Sequence, residues 1–257
     1  MWPAYVINLA DNAERMARCA AQLDTLGVPF ERIEGVNGWA MSDEEIARVY
    51  DPDLNRRRAK YPLVRPEIGC YLSHVRAWER IAAGDAPGGF VFEDDFAAAD
   101  SLPEVLQALS ADRGWDMVKL FSLDPGIRLL APRPLGKGLT IGFPVRVPTC
   151  LLGYGITREA ARRLLERALP IVRPVDEDQK FFWETGLRVA LVSPQPLRLG
   201  DQEAATGTVG ASRRSDAPVS PGRGRFAQAL HGLRYQLAYR LKLFWNNLKR
   251  RLAGWRR

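Results

Sequence analysis

What the chain lacks narrows its class first. No glycine-rich phosphate loop follows its first strand-like run, which argues against a Rossmann dehydrogenase or a P-loop NTPase. It has 3 cysteines, Cys19, Cys70 and Cys150, far apart and odd in number. They fit neither a disulfide framework nor a zinc spacing, and point to a reducing compartment. No apolar run reaches the roughly 18 residues needed to span a bilayer. No basic flank with an apolar core behind it opens the sequence, so a signal peptide is not expected. Internal repeats are absent, and there are only 2 histidines, His74 and His231.

Acids are missing from one region in particular. Of the 257 residues, Ala204–Arg257 hold 12 Lys+Arg and a single acid, Asp216, whereas Met1–Glu203 hold 25 basic and 29 acidic residues. The overall charge of +7 therefore belongs to the tail, and the body is slightly acidic. With 46% hydrophobic and 26% charged residues, the body has ordinary globular composition and enough length for a sizeable core. A nucleic-acid binder would spread cations over the body, so no nucleic-acid partner is expected. The divisions read as a domain over 1–203, a Gly/Ser/Thr/Arg-rich linker over 204–225, and a basic amphipathic helix over 226–257. In that helix Phe226, Leu230, Leu233, Leu237, Leu241, Phe244, Leu248, Leu252 and Trp255 recur at three- and four-residue steps among Arg and Lys. Such a stripe fits an anionic membrane surface; packing on the body or on a second subunit is the other reading.

The body opens with a strand over Ala4–Leu9 and a helix from about Asn12 to Leu26, with Asp11 as its N-cap and Gly27 as its stop. A second strand over Phe30–Val36 follows, the opening of many nucleotide-binding α/β folds. Ser42 and Glu45 form a capping box before a short helix, and the proline-punctuated stretch Asp51–Pro66 reads as a loop. A strong helix then runs from Pro66 to about Ala83. Its apolar face is Ile68, Tyr71, Leu72, Val75, Trp78 and Ala82, with Glu67, Cys70 and His74 on a neighbouring stripe. Beyond it a helix is expected over Ser101–Ala111 and strands over Met117–Phe121, Thr149–Ile156 and Leu187–Val192, the last of the chain. Thr157 caps a further helix, and Asp124–Pro148 reads as a surface excursion with one strand near Thr140.

Two acidic clusters stand out. Gly88–Phe92 is a buried-strand pattern that ends in Glu93, Asp94 and Asp95, and strand ends at the mouth of an α/β sheet are where such folds bind ligands. Clustered carboxylates repel one another, so they either sit in water as a helix-capping turn or hold a cation. Asp176, in Pro174-Val175-Asp176, has Gln179 three residues on and equally resembles a capping box. A lone helical histidine such as His74 is more often packed than catalytic.

Several of these stretches resemble glycosyltransferase family 25, which holds bacterial lipopolysaccharide sugar transferases and collagen-modifying galactosyltransferase domains. The resemblance runs through Tyr5–Leu9 with Arg15, Val36-Asn37-Gly38 (where the family usually has Val-Asp-Gly), Glu67–His74, Phe92–Asp95, Trp115-Asp116, Gly153–Thr157, Ala160–Leu165 and Pro174–Asp176. It covers about Ala4 to Val192. It implies a GT-A-like, Rossmann-type α/β fold that binds a UDP-sugar donor, and a Mn²⁺ or Mg²⁺ ion. Asp95 is implied as principal metal ligand, with Glu93 on the metal or the ribose and Asp94 in the donor site. Ser73 and His74 line that site, and Asn8 and Arg15 contact the nucleotide. The family is regarded as inverting, which makes Asp176 the candidate base, with a second-ligand or capping role equally open. The resulting expectation is a galactosyltransferase acting on a lipid-linked glycan at the inner face of the cell membrane, cytoplasmic and peripheral. A non-catalytic membrane-surface adaptor and a metal-dependent nucleotidyltransferase are the competing classes.

Overall fold

The computed structural model describes residues 1–200, 218–219 and 224–252. In chain order it contains β1 (Ala4–Asn8), α1 (Ala13–Thr25), β2 (Phe30–Glu34), a 3-10 turn (Gly38–Ala40), α2 (Asp43–Val49), α3 (Pro52–Arg58) and α4 (Arg65–Ala83). Then come β3 (Gly88–Glu93), β4 (Phe96–Ala98), α5 (Leu102–Ala111), β5 (Met117–Lys119), β6 (Leu129–Gly136), β7 (Leu139–Pro144) and β8 (Gly153–Thr157). The remainder is α6 (Arg158–Leu165), α7 (Val175–Asp178), a 3-10 turn (Gln179–Phe181), α8 (Phe182–Thr185), β9 (Val189–Ser193), β10 (Leu197–Leu199) and α9 (Arg225–Leu252).

Eight strands form one mixed sheet in the order β2-β1-β3-β8-β5-β9-β7-β6, and β10 with β4 forms a small second sheet. Alternation along each strand divides the core between the two faces. Tyr5, Ile7 and Val91 look toward one face, with Trp78 and Ile81 of α4 and Ala160 and Leu164 of α6. Val6, Phe90 and Phe92 look toward the other, with Cys19 and Leu23 of α1 and Leu102, Val105, Leu106 and Leu109 of α5. The result is a helix–sheet–helix sandwich, the α/β arrangement expected.

β1 pairs in parallel with β2 on one side and with β3 on the other, with Ile7 opposite both Ile33 and Glu93. The β1–β2 crossover helix α1 lies on one face of the sheet and the β2–β3 crossover helix α4 on the other. Chain direction thus diverges at β1, and the carboxyl ends of β1 and β3 open onto the crevice where α/β folds take ligands. Glu93 lies there because of register, not because of proximity in sequence.

Local chemistry accounts for most boundaries. Ser42 and Glu45 form the expected capping box, Thr157 Oγ1 accepts from Ala160 N–H, and Gly27 ends α1 at φ +64°. Five expectations need correction. Asn12, not Asp11, precedes α1, and its side chain makes no cap bond. The stretch assigned to a loop contains α3, because Asp51 accepts from the N–H groups of Asp53 and Leu54 while Pro52 occupies the first turn. The 124–148 excursion holds two strands, not one: β6 and β7 form an edge hairpin whose turn puts Gly136, Lys137 and Gly138 at positive φ. β9 is followed by a further strand, β10. Asp176 and Gln179 form no capping box, since Pro174 precedes α7 without a side-chain cap bond. Most of the expected 204–225 linker, and Trp255, lie outside the described residues.

Candidate active site

At the carboxyl ends of β1 and β3 a pocket of about 200 Å³ is lined by Asn12, Arg15, Ser73, His74 and Glu93–Asp95, with the backbone of Gly35–Trp39 forming one wall. That wall is held by close contact. A Cβ on Gly69 of α4 would lie 2.5 Å from both Gly38 N and Val36 O, so only glycine lets the Val36-Asn37-Gly38 loop seat on the helix. Ser73 Oγ accepts from Val36 N–H at 2.8 Å and donates to Gly69 O, which explains its burial and ties loop to helix.

The three acids divide sharply. Asp94 is fully engaged: Asn8 Nδ2 donates to Oδ2 at 2.7 Å, Arg15 Nη1 bonds Oδ1 at 3.1 Å, and the Cys19 thiol donates to its backbone carbonyl at 3.2 Å. Arg32 in turn orients Asn8, Nε donating to Oδ1 at 3.0 Å. Asn8 and Arg15 therefore hold Asp94 at the pocket wall, which leaves Glu93 and Asp95 as the acids without a cationic side-chain partner there.

Glu93 terminates a chain of donors that begins in the core. Trp78 Nε1–H can only donate, and reaches the Tyr154 hydroxyl oxygen at 2.8 Å. Tyr154 lies 3.0 Å from His74 Nδ1, and His74 Nε2 lies 3.2 Å from Glu93 Oε1. The network assigns the Tyr154 proton to Nδ1 and makes Nε2–H the donor to Glu93. His74 is thus buried and packed, as a lone helical histidine usually is, and it also fixes the rotamer of a pocket carboxylate.

Asp95 is the anomaly. Its Oδ1 is buried and finds no hydrogen-bond partner among the described residues. Burial first, then the neighbouring Glu93 charge, pushes its pKa up to about 7. A group this costly to bury calls for a cation or a donor that the protein alone does not supply. The oxygen donors of Glu93 and Asp95 suit a hard divalent ion. A softer cluster, Cys70, His74 and Glu93, also brings its ligand atoms within 4.8 Å of one another. Both imidazole nitrogens are engaged there, however, and burial together with the Glu93 and Asp176 charges holds the Cys70 thiol protonated, its pKa far above normal.

Asp176 is not among the residues that line this pocket, although its charge, like that of Glu93, acts on the Cys70 thiol. Its Oδ2 accepts from Cys150 N–H at 3.0 Å and its Oδ1 from Glu177 N–H at 2.8 Å. Cys150 sits at φ +72°, a strained position for a non-glycine residue. Lys119 accounts for it: fully buried at the end of β5, its Nζ donates to the carbonyls of Pro148 (2.6 Å), Thr149 (3.2 Å) and Cys150. Desolvation lowers its pKa to about 8. Lys119 was not singled out from sequence, yet a lysine inside Met117–Phe121 was a readable signal. Tyr154 had a signal only as part of the Gly153–Thr157 block of the resemblance.

Comparison with known proteins bears on this geometry. Residues 1–123, which carry α4, β3 and the three acids, match the family model described as glycosyltransferase family 25 (LPS biosynthesis protein). The chain belongs to glycosyltransferase family 25. It is 31% identical over 186 residues to a glycosyltransferase 25 family member of Anopheles gambiae, covering 67% of this chain and 30% of that protein. It is 28% identical over 193 residues to procollagen galactosyltransferase 1-A of Xenopus laevis, covering 67% and 30%. It is also 27% identical over 186 residues, again 67% and 30%, to a human relative named inactive glycosyltransferase 25 family member 3. The chain spans about a third of the length of the curated relatives it matches.

Proposed function

We propose that this family 25 chain is a metal-dependent inverting glycosyltransferase. It moves a hexose, galactose from UDP-galactose, to a lipid-linked glycan such as lipopolysaccharide core at the inner face of a cell membrane. The observation that carries the proposal is the unpartnered buried oxygen of Asp95, beside Glu93 at the mouth of a strand-end pocket. Relatives named procollagen galactosyltransferases support galactose as the sugar.

Glu93 and Asp95 would hold Mn²⁺ or Mg²⁺, which when bound neutralises charge developing on the departing diphosphate. The chain's own residues do the positioning. Asn8 and Arg15 pin Asp94, and with it the turn that presents Asp95. Ser73 sets the Val36–Gly38 wall against which the nucleoside packs, and His74 aims Glu93. Asp176 accepts the proton of the acceptor hydroxyl as that oxygen bonds to the anomeric carbon and the sugar–phosphate bond breaks. Each Asp176 oxygen receives one backbone N–H and keeps a second lone pair for that proton.

The non-catalytic alternative has a specific motive, since relatives from mouse and human carry names that call them inactive. Nucleotide release from a panel of UDP- and GDP-sugars, with Mn²⁺ or with EDTA, tests the proposal. Mn²⁺-dependent release from UDP-galactose, lost in Asp95→Ala and in Asp176→Asn, is the expected result. No release from any donor would favour the adaptor.

A further inference from the structure

The long helix α9 is docked inside out. Its inner face is mostly aromatic and polar, with Leu243 packed on the core. Tyr239 is buried against Phe181 and Trp183, with ring centroids 5.4 and 5.7 Å away, and the Tyr235 ring lies 6.0 Å from that of Phe181, tilted by 60°. The Arg250 guanidinium lies 3.4 Å over the Phe182 ring. Gln228 and His231 bond the carbonyls of Lys60 and Ala59, and Asn247 Nδ2 donates to Val145 O. Its outer face is the apolar one. Phe226 (85% exposed), Leu233 (67%), Leu237 (58%), Leu241 (53%) and Phe244 (61%) form one stripe into solvent, extended by Leu252 and flanked by Trp245.

An ordinary surface helix turns its leucines to the core. Here the stripe runs along 28 residues, roughly 42 Å at 1.5 Å per residue, and is far longer than a single scattered apolar residue would be. Along its borders lie the exposed cations Arg234, Arg240, Lys242, Lys249 and Arg251, and Arg225–Leu252 contains no Asp or Glu. A groove of about 810 Å³ beside the stripe joins Lys60, Tyr61 and Arg240 to Leu233, Gln236 and Leu237, so it offers cations and apolar wall together. No helix of the described residues is long and apolar enough to cross a membrane.

We infer that the outward stripe of α9 lies in the surface of an anionic bilayer, its leucines and Phe244 among the acyl chains and its cations on lipid phosphates. Apolar burial and attraction to anionic headgroups act together in such binding. Because the inner face is bolted to Phe181, Phe182 and Trp183, which follow Asp176 on the same short segment, the body is held in one orientation above the lipid. This rests on the lipid-linked acceptor proposed above and names the surface that would bring the enzyme to it.

The test is co-sedimentation of the full chain with vesicles of phosphatidylcholine alone or of phosphatidylcholine mixed with anionic phosphatidylglycerol. Leu233→Gln/Leu237→Gln/Leu241→Gln is measured beside it, with size-exclusion light scattering and nucleotide release from a soluble acceptor reaction. The wild-type chain should pellet strongly on anionic vesicles, less so in salt, and the triple variant should lose at least about tenfold of that binding with nucleotide release unchanged. Failure of the wild-type chain to pellet would overturn it. So would a stable dimer that the triple variant abolishes, since the stripe would then belong to a second copy. Neither outcome touches the transferase reading, which stands or falls on nucleotide release.

Discussion

A buried carboxylate oxygen without a partner, as at Asp95, destabilises a fold by roughly 1–3 kcal/mol, and a purely structural acid in that place would be hard to account for. Asp95→Asn should therefore keep or raise the melting temperature of the metal-free protein while sugar transfer falls by at least about 100-fold. Melts in EDTA and turnover with Mn²⁺ separate the two effects, and a lower melting temperature would mark Asp95 as structural. The cysteines make a pH prediction. Burial, helped by Asp94, pushes the Cys19 thiol up to about 12, and burial with the Glu93 charge does the same for Cys150. A raised thiol pKa favours the neutral form, and only the thiolate reacts. Iodoacetamide should label both slowly at pH 8, faster as pH climbs toward 12, and at ordinary thiol rates once urea unfolds the chain. Residue types at this scale were legible, in that the three acids announced a site. Their division of labour was not, because the partners of Asp94 and Asp176 come from 79 and 26 residues away in sequence, at Arg15 and Cys150.

Elements position these residues, and the tightest joint is between α4 and the Val36–Gly38 loop. Gly69→Ala places a Cβ against backbone on both sides, where no rotamer can yield. The expected loss is about 1–3 kcal/mol, read as a fall of several degrees in melting temperature, with weaker donor binding because the pocket wall shifts. Lys119→Met leaves three loop carbonyls without their donor. At roughly 1 kcal/mol or more for each, thermal unfolding should reveal a larger loss than for Gly69→Ala. The α4 helix was readable because its period and its opening Pro-Glu agree, and β1–α1–β2 because apolar runs alternate with turn residues. α3 and the β6–β7 hairpin were hidden by their prolines. Pro52 begins a helix instead of breaking one, and Pro132 and Pro134 lie on β6, an edge strand where a missing N–H costs little.

At the scale of the molecule, the carboxyl ends of β1 and β3 gather Asn8, Glu93 and Asp95, and α4 brings His74 and Ser73 to the same pocket. The sequence pattern of α9 was evident, yet which face it would turn outward was not, since spacing alone does not say whether leucines or tyrosines meet the body. The acidic end of β3 is proposed to seat a divalent cation for a nucleotide-sugar donor. Calorimetric titration of Mn²⁺ into the protein, with and without UDP, tests it most directly. One Mn²⁺ should bind per chain, more tightly with UDP, and none at that site in Asp95→Ala. Mn²⁺ binding that is absent in the wild-type protein with UDP present, or undiminished in Asp95→Ala, would contradict it.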